Sequence, residues 1–177
     1  MANFTYNNFN SLLIQGKLPN GFGVIGSTSS ATIPSNINVA LIGPDQNNRI
    51  PEAVNNASAV TYEGVNIDSY LAIGTLPVTL NNPNIIFNNT DNIKNTIFTT
   101  LEPPIWSATS SSTIKAICAV LYYKNTVSFT DITTNTLIVD QRPLLALIDF
   151  GEVKETSLGG SFSISWSNQG IFRYSFN

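Results

Sequence analysis

The last third of the chain contains four apolar runs with the composition of β-strands: Thr113–Tyr123, Leu144–Phe150, Ser161–Trp166 and Ile171–Phe176. In Ser161–Trp166, polar and apolar residues alternate strictly. This alternation places Phe162, Ile164 and Trp166 on one face of a strand and the three serines on the other. The chain is therefore predicted to form a β-sheet protein.

The run Thr113–Tyr123 is apolar on both faces, which is typical of a strand in the middle of a packed structure. Strict alternation predicts one face with Ile114, Ala116, Cys118 and Val120, and an opposite face with Ile117, Ala119 and Leu121.

Earlier in the chain, Tyr6–Gly16 has helical spacing, and residues 21–35 are rich in Gly and Ser and predict a loop or arm. Asn36–Ile42 alternates as a strand with Ile37, Val39 and Leu41 on one face, followed by the turn 43–45. The remaining predictions are a surface connection over 46–64, strands over 65–73, 78–80, 85–88 and 97–100, a hairpin over 124–139, a polar loop over 152–160, and a closing hairpin with its turn at 167–170.

Many short strands with frequent Pro, Gly and Asn predict an all-β fold, an antiparallel β-sandwich or jelly-roll-like domain. We expect a single domain over residues 36–177, preceded by an N-terminal arm or short helix over residues 1–35.

Charged residues make up 11% of the 177 residues, where about 25% is typical. The 19 charges are spread over a surface expected to measure ~8,400 Å². A neutral polar surface suits large protein–protein contacts, because few ions lose their water on binding. The alternative interpretation is that this β-protein needs few charges for solubility, so that its low charge content indicates no binding surface.

The net charge of −3 and the scattered basic residues argue against nucleic-acid binding. No run has the length of a membrane span, and the N-terminus lacks the pattern of a secretory signal, so we expect synthesis in a cytoplasm. The single cysteine, Cys118, is predicted to be a small buried hydrophobe. Without a histidine in the chain, it lacks the base that usually activates a thiol.

Motifs that resemble functional sites have simpler explanations here. Residues 21–26 spell G-x-G-x-x-G without the flanking strand and helix of a dinucleotide site. Residues 149–151 spell Asp-Phe-Gly and predict an acidic residue at a strand end, followed by a turn glycine. Asp149, Glu152 and Glu155 are expected to be solvated acids at the start of a loop. We therefore expect no enzyme, no catalytic residue, no cofactor-binding residue and no metal site.

Four aromatic residues, Trp106, Trp166, Tyr122 and Tyr123, have the character of sugar-stacking side chains. Trp166 and one of the tyrosines fall on core-facing strand positions, so burial is the first explanation of their presence.

Several segments, in order, resemble a family of tailed-bacteriophage virion proteins. The segments are Ile37–Ile42 with its Gly-Pro-Asp turn, the Trp106–Thr109 stretch, AICAVLYYKN at 116–125, PLLALIDFG at 143–151 and GSFSISWSNQGIF at 160–172. In this family a short connection is usual where the present chain has residues 124–142.

The resemblance implies a virion structural protein, which we expect to be a capsid cement or decoration protein made in the host cytoplasm. Its expected partners are the major capsid protein and neighbouring copies of itself on the capsid surface, with no nucleic acid and no membrane. The alternatives are a structural protein of the tail, baseplate or fibre, and a carbohydrate-binding module for host attachment.

Overall fold

A computed structural model describes residues 3–14, 31–32, 36–80, 83–90, 93–100, 102–131, 133–166 and 171–176. The predicted glycine motif at 21–26 and the closing turn at 167–170 lie outside these residues.

Strands dominate the described residues. The strands are β1 Phe4–Thr5, β2 Ala31–Thr32, β3 Ile37–Ile42, β4 Val78–Thr79, β5 Pro83–Thr90, β6 Ile93–Thr100, β7 Ile105–Ser107, β8 Lys115–Tyr123, β9 Val127–Thr130, β10 Leu137–Gln141, β11 Leu144–Glu155, β12 Ser161–Ser163 and β13 Phe172–Phe176. The helices are α1 Asn7–Ile14, α2 Tyr62–Val65 and a 3₁₀ turn at Ile67–Tyr70.

A five-stranded sheet with the order β1-β11-β8-β3-β4 organises the molecule. All its pairings are antiparallel. The register places Ile37 opposite Tyr123 and Ile42 opposite Cys118. β8 lies in the middle of this sheet, and its residues 116–123 are all buried, which confirms the predicted central strand.

Apolar side chains cover both faces of this sheet. On the first face, Ile37, Val39 and Leu41 pack in one core with Trp106 of β7 and Ile164. This confirms the shared face predicted for β3. On the second face, a separate core joins sheet residues such as Ala40 and Val120 to side chains of the segment that links β3 to β4, namely Val54, Tyr62 and Ile67.

The alternation predicted for β8 is wrong at one point. Ala116 packs in the first core with Ala119 and Leu121, whereas Ile117 and Cys118 both pack in the second. Opposite this change, the register of β11 shifts between Asp149 and Lys154. The bulge there is the physical cause, because extra residues on one strand turn the local backbone and re-aim the side chains.

The Asp149-Phe150-Gly151 triplet forms part of this bulge. Gly151 has a φ of +79°, and its N–H donates to Asp149 Oδ1 at 2.7 Å. The acidic residue therefore does not end the strand as predicted. β11 continues to Glu155, so the first four residues of the predicted loop at 152–160 are strand and the loop begins at residue 156.

The other strands form a β9–β10 ribbon, a β7–β12 ribbon and a four-stranded sheet with the order β13-β6-β5-β2. Every pairing is antiparallel, which confirms the predicted all-β fold and the hairpin within 124–139. The expected closing hairpin is wrong, since β12 pairs with β7 and β13 pairs with β6. The face-to-face sandwich or jelly roll stays a prediction.

The segment 46–73 also differs from its prediction. It is more than a surface connection, because Val54 and Tyr62 are fully or almost fully buried. Thr61 caps α2 by accepting a hydrogen bond from Gly64 N at 3.0 Å, and Asn66 ends the helix in the left-handed conformation. The strand predicted over 65–73 is therefore replaced by α2 and the 3₁₀ turn, which leave a single β-bridge at Leu71.

The described part of the N-terminal arm belongs to the body of the protein. Phe4 and Thr5 pair with Leu147 and Ala146 at the edge of the five-stranded sheet. Tyr6 and Phe9 are buried, and α1 confirms the predicted helix as far as Ile14. The boundary between residues 35 and 36 stays a prediction.

Candidate interaction site

Two large aliphatic side chains project into solvent from one tight turn. Ile73 is 89% exposed and Leu76 is 77% exposed. Both belong to residues 72–77, which we call the apolar turn. Gly74 lies between them with a φ of +76°, a conformation that L side chains rarely adopt. The turn thus displays side chains that usually lie inside a protein.

Hydrogen bonds fix the apolar turn to the sheet. Ala72 N donates to Leu41 O at 2.9 Å, which ties the turn to β3. Ala72 O accepts from Thr75 N at 3.0 Å and from Thr75 Oγ1 at 2.7 Å, which closes the turn on itself. Trp106 Nε1 donates to Leu76 O at 2.9 Å from the buried side. A turn bonded at both ends presents its side chains in a defined position.

A groove of about 590 Å³ adjoins this turn. Ile73 forms part of its wall, together with Pro44, Tyr70 and Leu71. Lys115 and Asp45 are its charged members. Asp45 Oδ1 is already engaged by the backbone N–H groups of residues 47 and 49, both at 2.8 Å.

The arrangement leaves two large aliphatic side chains in water beside a mostly apolar groove. Covering them would remove apolar surface from water, and the hydrogen-bonded backbone of the turn limits the ordering that this would require. The sequence pattern did not indicate this site, because Ile73 falls at the end of the strand predicted over residues 65–73. Two isolated aliphatic residues flanking Gly74 and followed by Pro77 were the available signal.

The structure places the three predicted acids along β11 with separate partners. The carboxylate of Asp149 accepts a hydrogen bond from Gly151 N at 2.7 Å, and its backbone N–H donates to Asn3 Oδ1 at 3.0 Å. Glu152 pairs with Lys154 at 2.6 Å, and Glu155 pairs with Lys115 at 3.3 Å. The hydrogen bond and the charge of Lys154 lower the pKa of Glu152. Within the described ranges, no three His, Cys, Asp or Glu side chains are grouped to hold a metal ion.

The predicted burial of Cys118 is confirmed. Burial and, secondarily, the charge of Asp149 raise the pKa of this thiol well above its usual range, so it stays protonated at neutral pH. Trp106, Tyr122 and Tyr123 are buried, which confirms the burial expected of one tyrosine and extends it to both. Trp166 is half-buried and contributes to a second groove, described below.

A further cluster joins α2 to the segment between β10 and β11. The guanidinium of Arg142 lies 3.8 Å from the centroid of the Tyr62 ring, and its Nε donates to Glu63 Oε1 at 2.5 Å. Burial by itself lowers the pKa of Arg142, but the bond to Glu63 and the charge of Glu63 reverse this and raise it. Burial, followed by the hydrogen bond from its hydroxyl to Asp68, raises the pKa of Tyr62. None of these four residues lines either of the two grooves described here.

No helix in the described part of the chain is long and apolar enough to span a membrane. Comparisons of the chain with protein-family models, with curated proteins and with solved structures each return no match.

Proposed function

We propose that the protein is a structural component of a tailed-bacteriophage virion, a capsid cement or decoration protein that binds the assembled shell. The observation that carries the proposal is the apolar turn, with Ile73 and Leu76 held outward on a charge-poor protein. Such residues favour association, because a partner that covers them removes apolar surface from water.

The segments that resemble the phage family fall on structural elements of the body. AICAVLYYKN contains most of β8, PLLALIDFG contains the first part of β11, and Ile37–Ile42 is β3. These are the three inner strands of the five-stranded sheet. The resemblance therefore concerns the framework that carries the apolar turn, which supports a common architecture with a shared structural role.

The mechanism would be mass action. A module that binds assembled shell and not its separated subunits lowers the free energy of the shell by an amount that grows with its concentration and affinity. Many copies on one particle add their contributions.

The first test is the copy number in purified particles. Quantitative electrophoresis should give hundreds of copies per particle, measured against the main shell protein. Tens of copies or fewer would assign the protein to the tail, baseplate or fibre, and its absence from particles would refute the virion role altogether.

The second test is binding by an Ile73→Ser/Leu76→Ser double variant. Burying an Ile or Leu side chain contributes ~1.5–3 kcal/mol. The double variant should therefore bind about 10²–10⁴-fold more weakly to shells from which the native protein has been removed. The matched control is Leu158→Ser, which changes another aliphatic side chain that is 66% exposed and should bind normally. Equal binding by the double variant and the control would rule out the apolar turn as the contact.

A further inference from the structure

A second groove, of about 780 Å³, lies where the bulge of β11 approaches β12 and the residues after it. Its volume is in the range of small-molecule sites. The groove has no part in the proposed docking by the apolar turn, and its lining is different in chemistry. We propose that it binds a neutral saccharide.

Aromatic rings form the apolar part of the wall. Phe150, Phe162 and Trp166 all line the groove and are half-buried. The ring centroids of Phe150 and Phe162 are 5.6 Å apart, and the ring of Trp106 meets that of Phe162 edge-on at 6.4 Å. Phe162 is thus held between two other rings, and it provides the kind of fixed apolar surface on which the C–H face of a sugar ring packs.

Serine and threonine residues also belong to the lining of this groove, the serines on the face of the β12 segment opposite Phe162 and Trp166. Ser161, Ser163 and Ser165 are exposed at alternate positions along the β12 segment, and Thr156 adds a fourth hydroxyl. A hydroxyl both donates and accepts hydrogen bonds, so a row of them matches the hydroxyls of a saccharide.

Two carboxylates belong to the lining, those of Asp149 and Glu155. Asp149 Oδ1 accepts from Gly151 N, and the oxygens of Glu155 contact Thr113 Oγ1 and Lys115 Nζ. A carboxylate oxygen has two lone pairs and can accept more than one hydrogen bond, which is the acceptor chemistry that sugar hydroxyls need.

The charges favour a neutral ligand over an anionic one. Lys154 is the only basic residue among the described lining residues, and its Nζ is paired with Glu152 Oε1 at 2.6 Å. Two carboxylates against one paired ammonium group would repel a phosphate or a nucleotide.

An unused donor lies beside the groove. The indole Nε1 of Trp166 is buried and has no hydrogen-bond partner in the described part of the chain. A buried donor without an acceptor is costly, and a ligand hydroxyl that reached this N–H and accepted a hydrogen bond from it would remove that cost.

The test uses the full-length protein, labelled with a fluorophore, on an array of neutral oligosaccharides built from glucose, galactose, rhamnose and N-acetylglucosamine. We expect binding to at least one class, followed by calorimetric titration with that free oligosaccharide. Ser163→Arg fills the groove from an exposed position and should weaken binding by about tenfold or more. Ser58→Arg adds the same side chain at an exposed position outside the groove and should leave binding unchanged.

Two further readouts separate the possible ligands. Affinity for a neutral saccharide should not change with salt, because there is no ligand charge to screen. Trp166→Phe, which removes only the indole donor and some ring area, should weaken binding while the protein stays folded by circular dichroism.

The proposal is overturned if no saccharide binds above background or if Ser163→Arg binds as well as Ser58→Arg. It is also overturned if, with polylysine added to the array as a cationic probe, the protein binds only polylysine and loses that binding at high salt. Each of these results is obtained with the isolated protein, so none depends on whether the protein is found in virions.

Discussion

Asn8 provides a sharp test of the packing described above. This residue of α1 is 4% exposed, and neither its Nδ2 nor its Oδ1 has a hydrogen-bond partner in the described part of the chain. A buried polar group left without partners costs about 1–3 kcal/mol. Leu has the same number and branching of side-chain heavy atoms, no polar atoms and a higher helix propensity by a few tenths of a kcal/mol. Asn8→Leu should therefore stabilise the protein by about 1–2 kcal/mol.

The assay is thermal and urea unfolding followed by circular dichroism. For a chain of this length, each kcal/mol corresponds to about 2–4 °C in the melting temperature, so Asn8→Leu should raise it by about 2–8 °C. The control is Asn10→Leu on the same helix. Asn10 Oδ1 accepts a hydrogen bond from Thr5 Oγ1 at 2.7 Å, so this variant loses a bond and should be at least ~1 kcal/mol less stable than Asn8→Leu. A loss of stability in Asn8→Leu would refute the reasoning, because it would mean that the amide makes a favourable contact.

Two further predictions concern the cluster around α2 and the buried tyrosines of the second core. Arg142→Met removes the cation–π contact with Tyr62 and the partly exposed ion pair with Glu63. It should lower the free energy of unfolding by about 1–2 kcal/mol, measured by urea titration. An unchanged urea midpoint would contradict this. Tyr6, Tyr62 and Tyr122 have pKa values raised above ~10, chiefly by burial, so their contribution to stability is present below pH ~10 and is lost as the pH rises above it. Absorbance at 295 nm should show these three tyrosines ionising together with unfolding, and independent ionisation in the native protein would disprove their burial.

The sequence pattern predicted the strands whose side chains alternate simply. Ile37, Val39 and Leu41 share a face as expected, because β3 runs without interruption between the two cores. In the segment 161–166, the serines are exposed and Ile164 is buried as the alternation indicates, although the strand itself has three residues.

The errors arose where local backbone geometry or distant pairing decides the structure. The bulge in β11 depends on Gly151 with its positive φ and on the bond to Asp149, and hydrophobic alternation carries no sign of either. The pairing of β12 with β7 joins residues more than 50 positions apart, whereas the nearest candidate partner along the chain was β13. Short-range patterns favoured the nearby hairpin for that reason.

The candidate sites were harder to predict than the strands. The sequence pattern singles out the aromatic residues and acids of the groove beside the bulge one by one, but their assembly depends on the approach of β12 to the bulge. The apolar turn was hidden within a predicted strand. Its exposure follows from the bonds of Ala72 and Leu76 to β3 and Trp106, which no local pattern encodes.

The order of the five-stranded sheet has a consequence for biosynthesis. β1 pairs with β11, so Phe4 has no strand partner until Leu147 has been translated. At typical rates of ~5–20 residues per second, this delay is roughly 7–30 s. The edge of the five-stranded sheet at β1 therefore cannot form until most of the chain has been synthesised.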